Sequence, residues 1–220
     1  MKLIRKAGGT VSEKAKVTVI DLLRHGEPLN DGSLNGRYDV ELSRTGWQQL
    51  QSAVANAFDY QAVISSPLKR CRLFAEYYTN QHAQPLQVVE GWQEMNFGLW
   101  DGKPYTWIHQ HYPETLSAFW KDPWKHAAEG GESLPDFHQR INDAWQTLLS
   151  EHEGDKILLV THSGVIRQLL SIILGMDPSQ NLAMSRLHIP YGSISRIEVY
   201  HDEQGGQWPR LMFLNGQCSQ

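Results

Sequence analysis

The sequence predicts an α/β fold: a single three-layer α/β/α domain whose mostly parallel central sheet carries helices on both faces. Apolar runs at 17–23, 62–66 and 156–161 are typical of strands buried on both sides. Segments with helical periodicity follow them, so strands and helices alternate along the chain. We interpret residues 1–16 as an N-terminal arm and residues 17–220 as this domain.

Capping residues and periodicity predict the remaining elements. Ser43 can cap a helix that continues to about Phe58, and Pro67 can begin a helix that ends near Asn80. Ser133–His152 has the apolar spacing of an amphipathic helix. Other predicted elements are a strand at 86–90, helices at 165–174 and from 178, and closing strands at 187–190, 194–200 and 211–214.

Residues 91–132 interrupt the alternation of strands and helices. This stretch holds five of the eight tryptophans, together with Pro104, Pro113 and Pro123. We predict an insertion of short helices and loops over the functional site. Two interpretations stay open: a satellite apolar cluster beneath a long loop, or a lid that gives a substrate an apolar wall.

Composition and charge argue against several classes of function. The net charge is −4 with no long run of one sign, so we expect no nucleic acid and no membrane as a partner. The first sixteen residues lack the apolar core of a secretory signal, and no apolar run could span a bilayer, which predicts a cytoplasmic protein. A homodimer is compatible with the sequence.

Neither the cysteines nor the histidines have the spacing of a metal site. Cys71 and Cys218 form no disulfide framework and no metal-ligand pair, which is typical of a reducing compartment. None of the ten histidines lies in an HExxH or paired Cys/His spacing. We therefore expect neither a metal nor a cofactor.

Two histidines follow directly after predicted central strands. Arg24 and His25 come at the end of the first strand, and His162 and Ser163 come at the end of the strand at 156–161. Because parallel strands end at one edge of their sheet, where open α/β folds bind ligands, these side chains should meet. The alternative is that each is an ordinary hydrogen-bonded core histidine.

Arg70 and Glu94 could complete such a site. Arg70 lies in the first turn of a predicted helix, where it can reach an anion, although an ordinary salt bridge is an alternative role. Glu94 lies at the base of the tryptophan-rich stretch and could act as a buried acid, although a loop carboxylate is usually solvated. Two arginines and two histidines around one point suit a phosphate dianion, which one histidine could attack in line.

Six motifs occur in one order between Val17 and about Val199: RHGEPLN, GRYDVELSRTG, SSPLKR, EMNFGLWDG, GGES and VTHSG. In these motifs the chain resembles the histidine phosphatase superfamily, in its phosphoglycerate-mutase-like branch. The resemblance implies that His25 is the phosphorylated nucleophile and that Glu94 is the proton donor. It implies phosphate contacts from Arg24, Asn30, Arg70, His162 and the backbone amide of Ser163.

Within this family, FGLWDG, FWKDP and GGES are similar to alpha-ribazole phosphatases, which remove the 5′-phosphate of a nucleotide-loop precursor in cobalamin synthesis. The chain departs from the family pattern at Pro28, Cys71 and Phe74, which bears on the subfamily and not on the phosphate chemistry. We expect a metal-independent phosphomonoesterase that acts on the small-molecule ester alpha-ribazole 5′-phosphate. A broad-specificity sugar-phosphate or nucleotide phosphatase and a phosphoglycerate mutase are the alternatives.

Overall fold

The computed structural model describes residues 16–57, 59–180 and 182–216. The strands are β1 (Lys16–Arg24), β2 (Ser33–Leu34), β3 (Ala62–Ser65), β4 (Leu86–Val88), β5 (Lys103–Pro104), β6 (Lys156–Thr161), β7 (Ile194–His201) and β8 (Gln207–Gly216). The helices are α1 (Arg44–Ala53), α2 (Lys69–His82), α3 (Tyr105–His111), α4 (Pro113–Lys121), α5 (Leu134–Glu151), α6 (Ser163–Ile173) and α7 (Leu182–Arg186).

The central sheet has the strand order β4-β3-β6-β1-β7-β8. Its β4, β3, β6 and β1 strands run parallel to one another, whereas β7 is antiparallel to both β1 and β8. The parallel part of the sheet therefore ends at one edge, just after Arg24 and Thr161, which are paired in register. The predicted fold class is confirmed.

Side chains on both faces of β1 and β6 are buried, which explains why these strands are apolar without alternation. Leu23 and Val160 pack on one face with residues of α1 and α2. Leu22 and Leu159 pack on the other face with residues of α5 and α6. Three layers result, and the strand ends that carry Arg24 and His25 are fixed between two cores.

The predicted strand at 187–190 is wrong. The carbonyl groups of its first three residues accept from side chains distant in the chain and not from a neighbouring strand. Ile189 O accepts from Arg24, Leu187 O accepts from Arg167 Nε at 2.8 Å, and His188 O accepts from Asn215 Nδ2 at 2.6 Å. Segment 187–190 is therefore a loop whose path depends on contacts distant in sequence.

Several other element boundaries differ from the expected ones. Helix α1 ends at Ala53, helix α2 begins two residues after Pro67, and α6 already begins at Ser163. The β2–β5 pair, too short to give a sequence pattern, links the loop after β1 to the 91–132 stretch. Among the described helices, none is long and apolar enough to cross a membrane. Residues 1–15 of the expected arm, together with Phe58 and Cys218, lie outside the described residues.

Candidate active site

A cavity of about 200 Å³ lies at the carboxyl edge of β1 and β6. Arg24, His25, Glu94 and Ser163 line it, so the structure brings four of the predicted site residues to one place. The sheet register explains part of this, because Arg24 pairs with Thr161 and the next residue of each strand is a histidine. The His25 and His162 rings lie with their centroids 5.2 Å apart.

His25 is held in one orientation by its own loop. Its backbone N–H donates to Thr161 O at 2.9 Å, and its Nδ1 lies 2.7 Å from Gly26 O. A carbonyl oxygen can only accept, so Nδ1 carries the proton and Nε2 carries the lone pair. Within the described part of the chain, Nε2 has no hydrogen-bond partner. The arrangement leaves a nucleophilic nitrogen on a histidine that lines the cavity.

Burial and nearby cations keep both histidines neutral. Burial is the main cause of a pKa of His25 well below its usual range, and the charges of Arg70 and Arg24 lower it further. The pKa of His162 is also well below its usual range, through burial, Arg70 and the neighbouring His25. Both rings are therefore unprotonated at neutral pH, the state that a nucleophile needs.

These lowered pKa values predict that acid destabilises the protein. Below about pH 6.5 the unfolded histidines bind protons and the folded ones do not, so the free energy of unfolding is highest above that pH and falls as pH decreases. Each histidine should lower the free energy of unfolding by on the order of 1 kcal/mol as the pH decreases from about 7.5 to about 5.5. Urea denaturation in phosphate-free buffer, with His162→Gln beside the parent, measures the contribution of His162. If the free energy of unfolding has the same pH dependence in both proteins, the pKa of His162 is not lowered in the folded state.

Arg24 is a largely buried cation with an unused donor. Its guanidinium stacks over the Tyr191 ring at 3.9 Å and donates through one terminal nitrogen to Ile189 O. Its Nε is buried and has no partner among the described residues. Burial of this kind lowers the pKa of Arg24 and makes an anionic ligand favourable beside it.

Arg70 is fully buried and is held by backbone carbonyl groups. It donates to Tyr38 O at 2.9 Å, Asn35 O at 3.1 Å and Gly36 O at 2.6 Å. The Asp101 carboxylate shapes this loop, because it accepts from the backbone N–H of Gly36 at 2.6 Å and of Tyr38 at 3.2 Å. The Nε of Arg70 is a second buried donor that has no partner in the described part of the chain.

Glu94 lies at the cavity wall with 6% of its surface exposed. Its Oε1 accepts from Met95 N at 3.0 Å, and its Oε2 accepts from Gly164 N at 3.0 Å, in the first turn of α6. A Cβ on Gly164 would lie 2.2 Å from Oε1. Only glycine at this position lets the carboxylate approach the helix terminus, and the two amides fix where it points.

The other predicted site residues lie in different surroundings. Ser163 is the first residue of α6 and lines the cavity. His162 is fully buried behind His25, with Nε2 2.7 Å from Ser66 Oγ, and neither it nor Arg70 lines the cavity. Asn30 also lies off the wall, and its amide exchanges two 2.9 Å hydrogen bonds with Asn35.

Position 26 requires a residue without a side chain, for a structural reason that the sequence did not reveal. A glycine that follows a strand can let the backbone approach a ligand closely. A Cβ on Gly26 would instead lie 2.1 Å from the carbonyl oxygen of Gly46, at the start of α1. The glycine therefore allows α1 to pack directly against the loop that carries His25.

Sequence reasoning missed several residues of the wall. Arg167 lies four residues after Ser163 on α6, so helical spacing alone could have placed both on one face. Tyr191 gave no such signal, since it comes from a loop near the end of the chain and donates to Asp31 Oδ1 at 3.0 Å. The 91–132 stretch was not missed, since an apolar wall was one of the two interpretations left open for it, and it supplies four aromatic side chains to the cavity: Phe97, Tyr105, Phe119 and Trp120. Across residues 16–57, 59–180 and 182–216, no group of three or more His, Cys, Asp or Glu side chains could hold a metal ion.

Known proteins are similar to this chain in sequence and in fold. The family model of the histidine phosphatase superfamily (branch 1) matches residues 20–208. A bifunctional protein of Mycobacterium tuberculosis is 30% identical over 213 residues, which cover 94% of this chain and 57% of that protein. The chain thus spans little more than half the length of this relative.

A relative and a solved structure, both from Escherichia coli, are similar to this chain over most of their length. The adenosylcobalamin/alpha-ribazole phosphatase of strain K12 is 29% identical over 183 residues, which cover 81% of this chain and 88% of that protein. The crystal structure of a putative alpha-ribazole-5′-P phosphatase from the same organism superposes with a TM-score of 0.78 at 27% identity. The superposition covers 90% of this chain and 96% of the E. coli chain.

Proposed function

Because the chain belongs to the histidine phosphatase superfamily (branch 1), we propose that it hydrolyses phosphate monoesters through a phosphohistidine on His25. The observation that carries the proposal is a neutral, oriented His25 that lines the cavity together with Arg24, while the charge of the fully buried Arg70 acts on His25 from outside the cavity wall. The Nε donors of Arg24 and Arg70 have no partner among the described residues. Such donors suit the oxygens of a transferring phosphoryl group.

The first step is attack by His25 on phosphorus. Nε2 forms a bond to phosphorus in line with the leaving oxygen, and the bond between phosphorus and that oxygen breaks. Glu94 donates a proton to the leaving oxygen, so an alcohol departs. The phosphorylated ring is cationic, and the hydrogen bond from Nδ1 to Gly26 O stabilises it. We assign contacts with the phosphate oxygens to Arg24, Asn30, Arg70, His162 and the Ser163 amide.

The second step returns the enzyme to its starting state. Glu94, now a carboxylate, accepts a proton from water as the water oxygen bonds to phosphorus. The bond between phosphorus and Nε2 breaks, inorganic phosphate leaves and His25 is neutral again. The Met95 and Gly164 amides keep the Glu94 carboxylate in place for both proton transfers.

For the substrate we propose alpha-ribazole 5′-phosphate. The similarity to the E. coli adenosylcobalamin/alpha-ribazole phosphatase supports this choice. The aromatic wall of Phe97, Tyr105, Phe119 and Trp120 suits a flat base on the leaving group. A low cysteine content supports our proposal of a cytoplasmic location.

A substrate panel tests this proposal. We expect kcat/KM for alpha-ribazole 5′-phosphate to exceed that for p-nitrophenyl phosphate and 3-phosphoglycerate by about tenfold or more, since pocket contacts act on the leaving group. Comparable rates on the ribazole and aryl esters would support a broad-specificity phosphatase instead. Transfer of phosphate between positions of phosphoglycerate, without release to water, would make the protein a mutase.

Chelation provides an independent test of the chemistry. If His25, Glu94 and the arginines supply the whole mechanism, kcat/KM should be the same with and without EDTA. The measurement uses enzyme preincubated with the chelator and assayed on p-nitrophenyl phosphate. A large decrease in kcat/KM that added divalent metal restores would contradict metal-independent hydrolysis.

A further inference from the structure

The GGES motif at 130–133 has no role in the mechanism described so far. Its Glu132 forms a two-point ion pair with Arg140 of α5: Nε donates to Oε1 and a terminal nitrogen donates to Oε2, both at 2.8 Å. The side chains are only 12% and 20% exposed. This planar pairing has the geometry of a strong and rigid contact.

Arg140 also binds the segment that carries Glu94. One terminal nitrogen donates to Gly91 O at 2.8 Å and to Gln93 O at 3.0 Å, and the other donates to Glu94 O at 3.4 Å. A guanidinium has five N–H donors, and two of those in Arg140 go to Glu132. All five donors are therefore used, three of them on the backbone at or just before Glu94.

Glu132 binds the other side of the same segment. Its backbone N–H donates to Asn96 O at 2.8 Å, and its Oε2 accepts from Asn96 N at 3.3 Å. Close packing on α5 adds to this, since a Cβ on Gly91 would lie 2.9 Å from Ala144 Cβ. The backbone is thus fixed on both sides of Glu94.

We propose that Arg140 and Glu132 are positioning residues that hold Glu94 in place for proton transfer. The inference rests on the proposed role of Glu94 as proton donor. Neither Arg140 nor Glu132 lines the cavity, so neither can touch a substrate there, and their hydrogen bonds to residues 91–96 reach the site through the segment that carries Glu94. A shift of about 1 Å in a reacting group can cost about 10²-fold in rate. Loss of the hydrogen bonds from Arg140 and Glu132 to the segment that carries Glu94 should therefore slow the reaction.

The test compares leaving groups in three variants: Arg140→Lys, Glu132→Gln and Glu94→Gln. Lysine keeps the charge of Arg140 and loses its planar fork. We expect Arg140→Lys and Glu132→Gln to lower kcat/KM by about 10–100-fold on alkyl phosphates and by less than about threefold on p-nitrophenyl phosphate. Combining either with Glu94→Gln should add no further loss on alkyl phosphates, because both act through one group.

Arg196→Lys is the matched control. Arg196 forms an equivalent two-point pair with Asp21 at 2.8 and 2.9 Å, and the two side chains are 21% and 0% exposed. This pair lies between β1 and β7, away from Glu94. We expect Arg196→Lys to lower the Tm and to leave the dependence on the leaving group unchanged.

Equal losses on alkyl and aryl esters, or losses that add to that of Glu94→Gln, would overturn the inference. If Glu94→Gln itself shows no dependence on the leaving group, the proposed function fails. If Glu94→Gln shows a dependence on the leaving group and both Arg140→Lys and Glu132→Gln show none, only the positioning role fails. Circular dichroism and Tm confirm that each variant is folded, and Glu132→Gln, which keeps the shape of the acceptor, carries the test should Arg140→Lys not fold.

Discussion

Replacing His25 by alanine should reduce phosphatase activity by at least about 10⁴-fold, because the covalent intermediate can no longer form. The measurement is kcat/KM for p-nitrophenyl phosphate, because its nitrophenolate leaving group departs with little help from a proton donor. The ring of His25 is nearly buried, so the same preparation is checked for a native circular dichroism spectrum and Tm.

His201→Ala is the control for this variant. His201 is also nearly buried, and its Nε2 lies 2.8 Å from Thr18 Oγ1. It pairs with Lys16 at the start of β1, so it lies at the opposite edge of the sheet from His25. Its kcat/KM should match that of the parent, whereas activity of His25→Ala within about tenfold of the parent would contradict a nucleophilic His25.

Replacing Glu94 by glutamine should separate substrates by their leaving groups. An alkoxide needs a proton as it departs and a nitrophenolate does not, so kcat/KM should decrease by about 10²–10⁴-fold on alkyl phosphates and only slightly on aryl phosphates. Glu90 is an exposed residue four positions earlier, and Glu90→Gln should leave kcat/KM unchanged on both alkyl and aryl phosphates. Equal decreases on the two classes of ester would contradict a proton donor at Glu94.

Glutamine matches glutamate in shape, yet its single side-chain oxygen cannot accept from both the Met95 and the Gly164 amide as the Glu94 carboxylate does. Glu94→Ala therefore supplies a second measurement. Added formate should restore part of the activity of Glu94→Ala on alkyl phosphates, because a small carboxylic acid can enter the space left by the side chain. Rescue on aryl phosphates alone would be inconsistent with proton donation.

The strand ends of the site could be predicted from sequence, because local patterns determine them. An apolar run followed by a histidine marks the end of a buried strand at both His25 and His162. Parallel pairing of the two strands then brings the histidines together. The N-cap of α1 at Ser43 also follows a local rule, since its side chain accepts from Gly46 N.

Other parts of the site depend on contacts distant in sequence. Tyr191 stacks on Arg24 across 167 positions of the chain, and nothing in its neighbours marks it as a site residue. Arg70 was expected to meet an anion or a salt-bridge partner. Its observed partners are three backbone carbonyls of a loop shaped by Asp101, and no residue pattern encodes a carbonyl that points inward.

The site of phosphorylation tests the central claim most directly. Enzyme mixed with a rapidly reacting aryl phosphate is quenched without acid, digested and analysed by mass spectrometry for phosphohistidine. We predict a phosphoryl group on the peptide that contains His25, absent from His25→Ala. A phosphoryl group on His162, or none on any histidine during steady-state turnover, would contradict the mechanism.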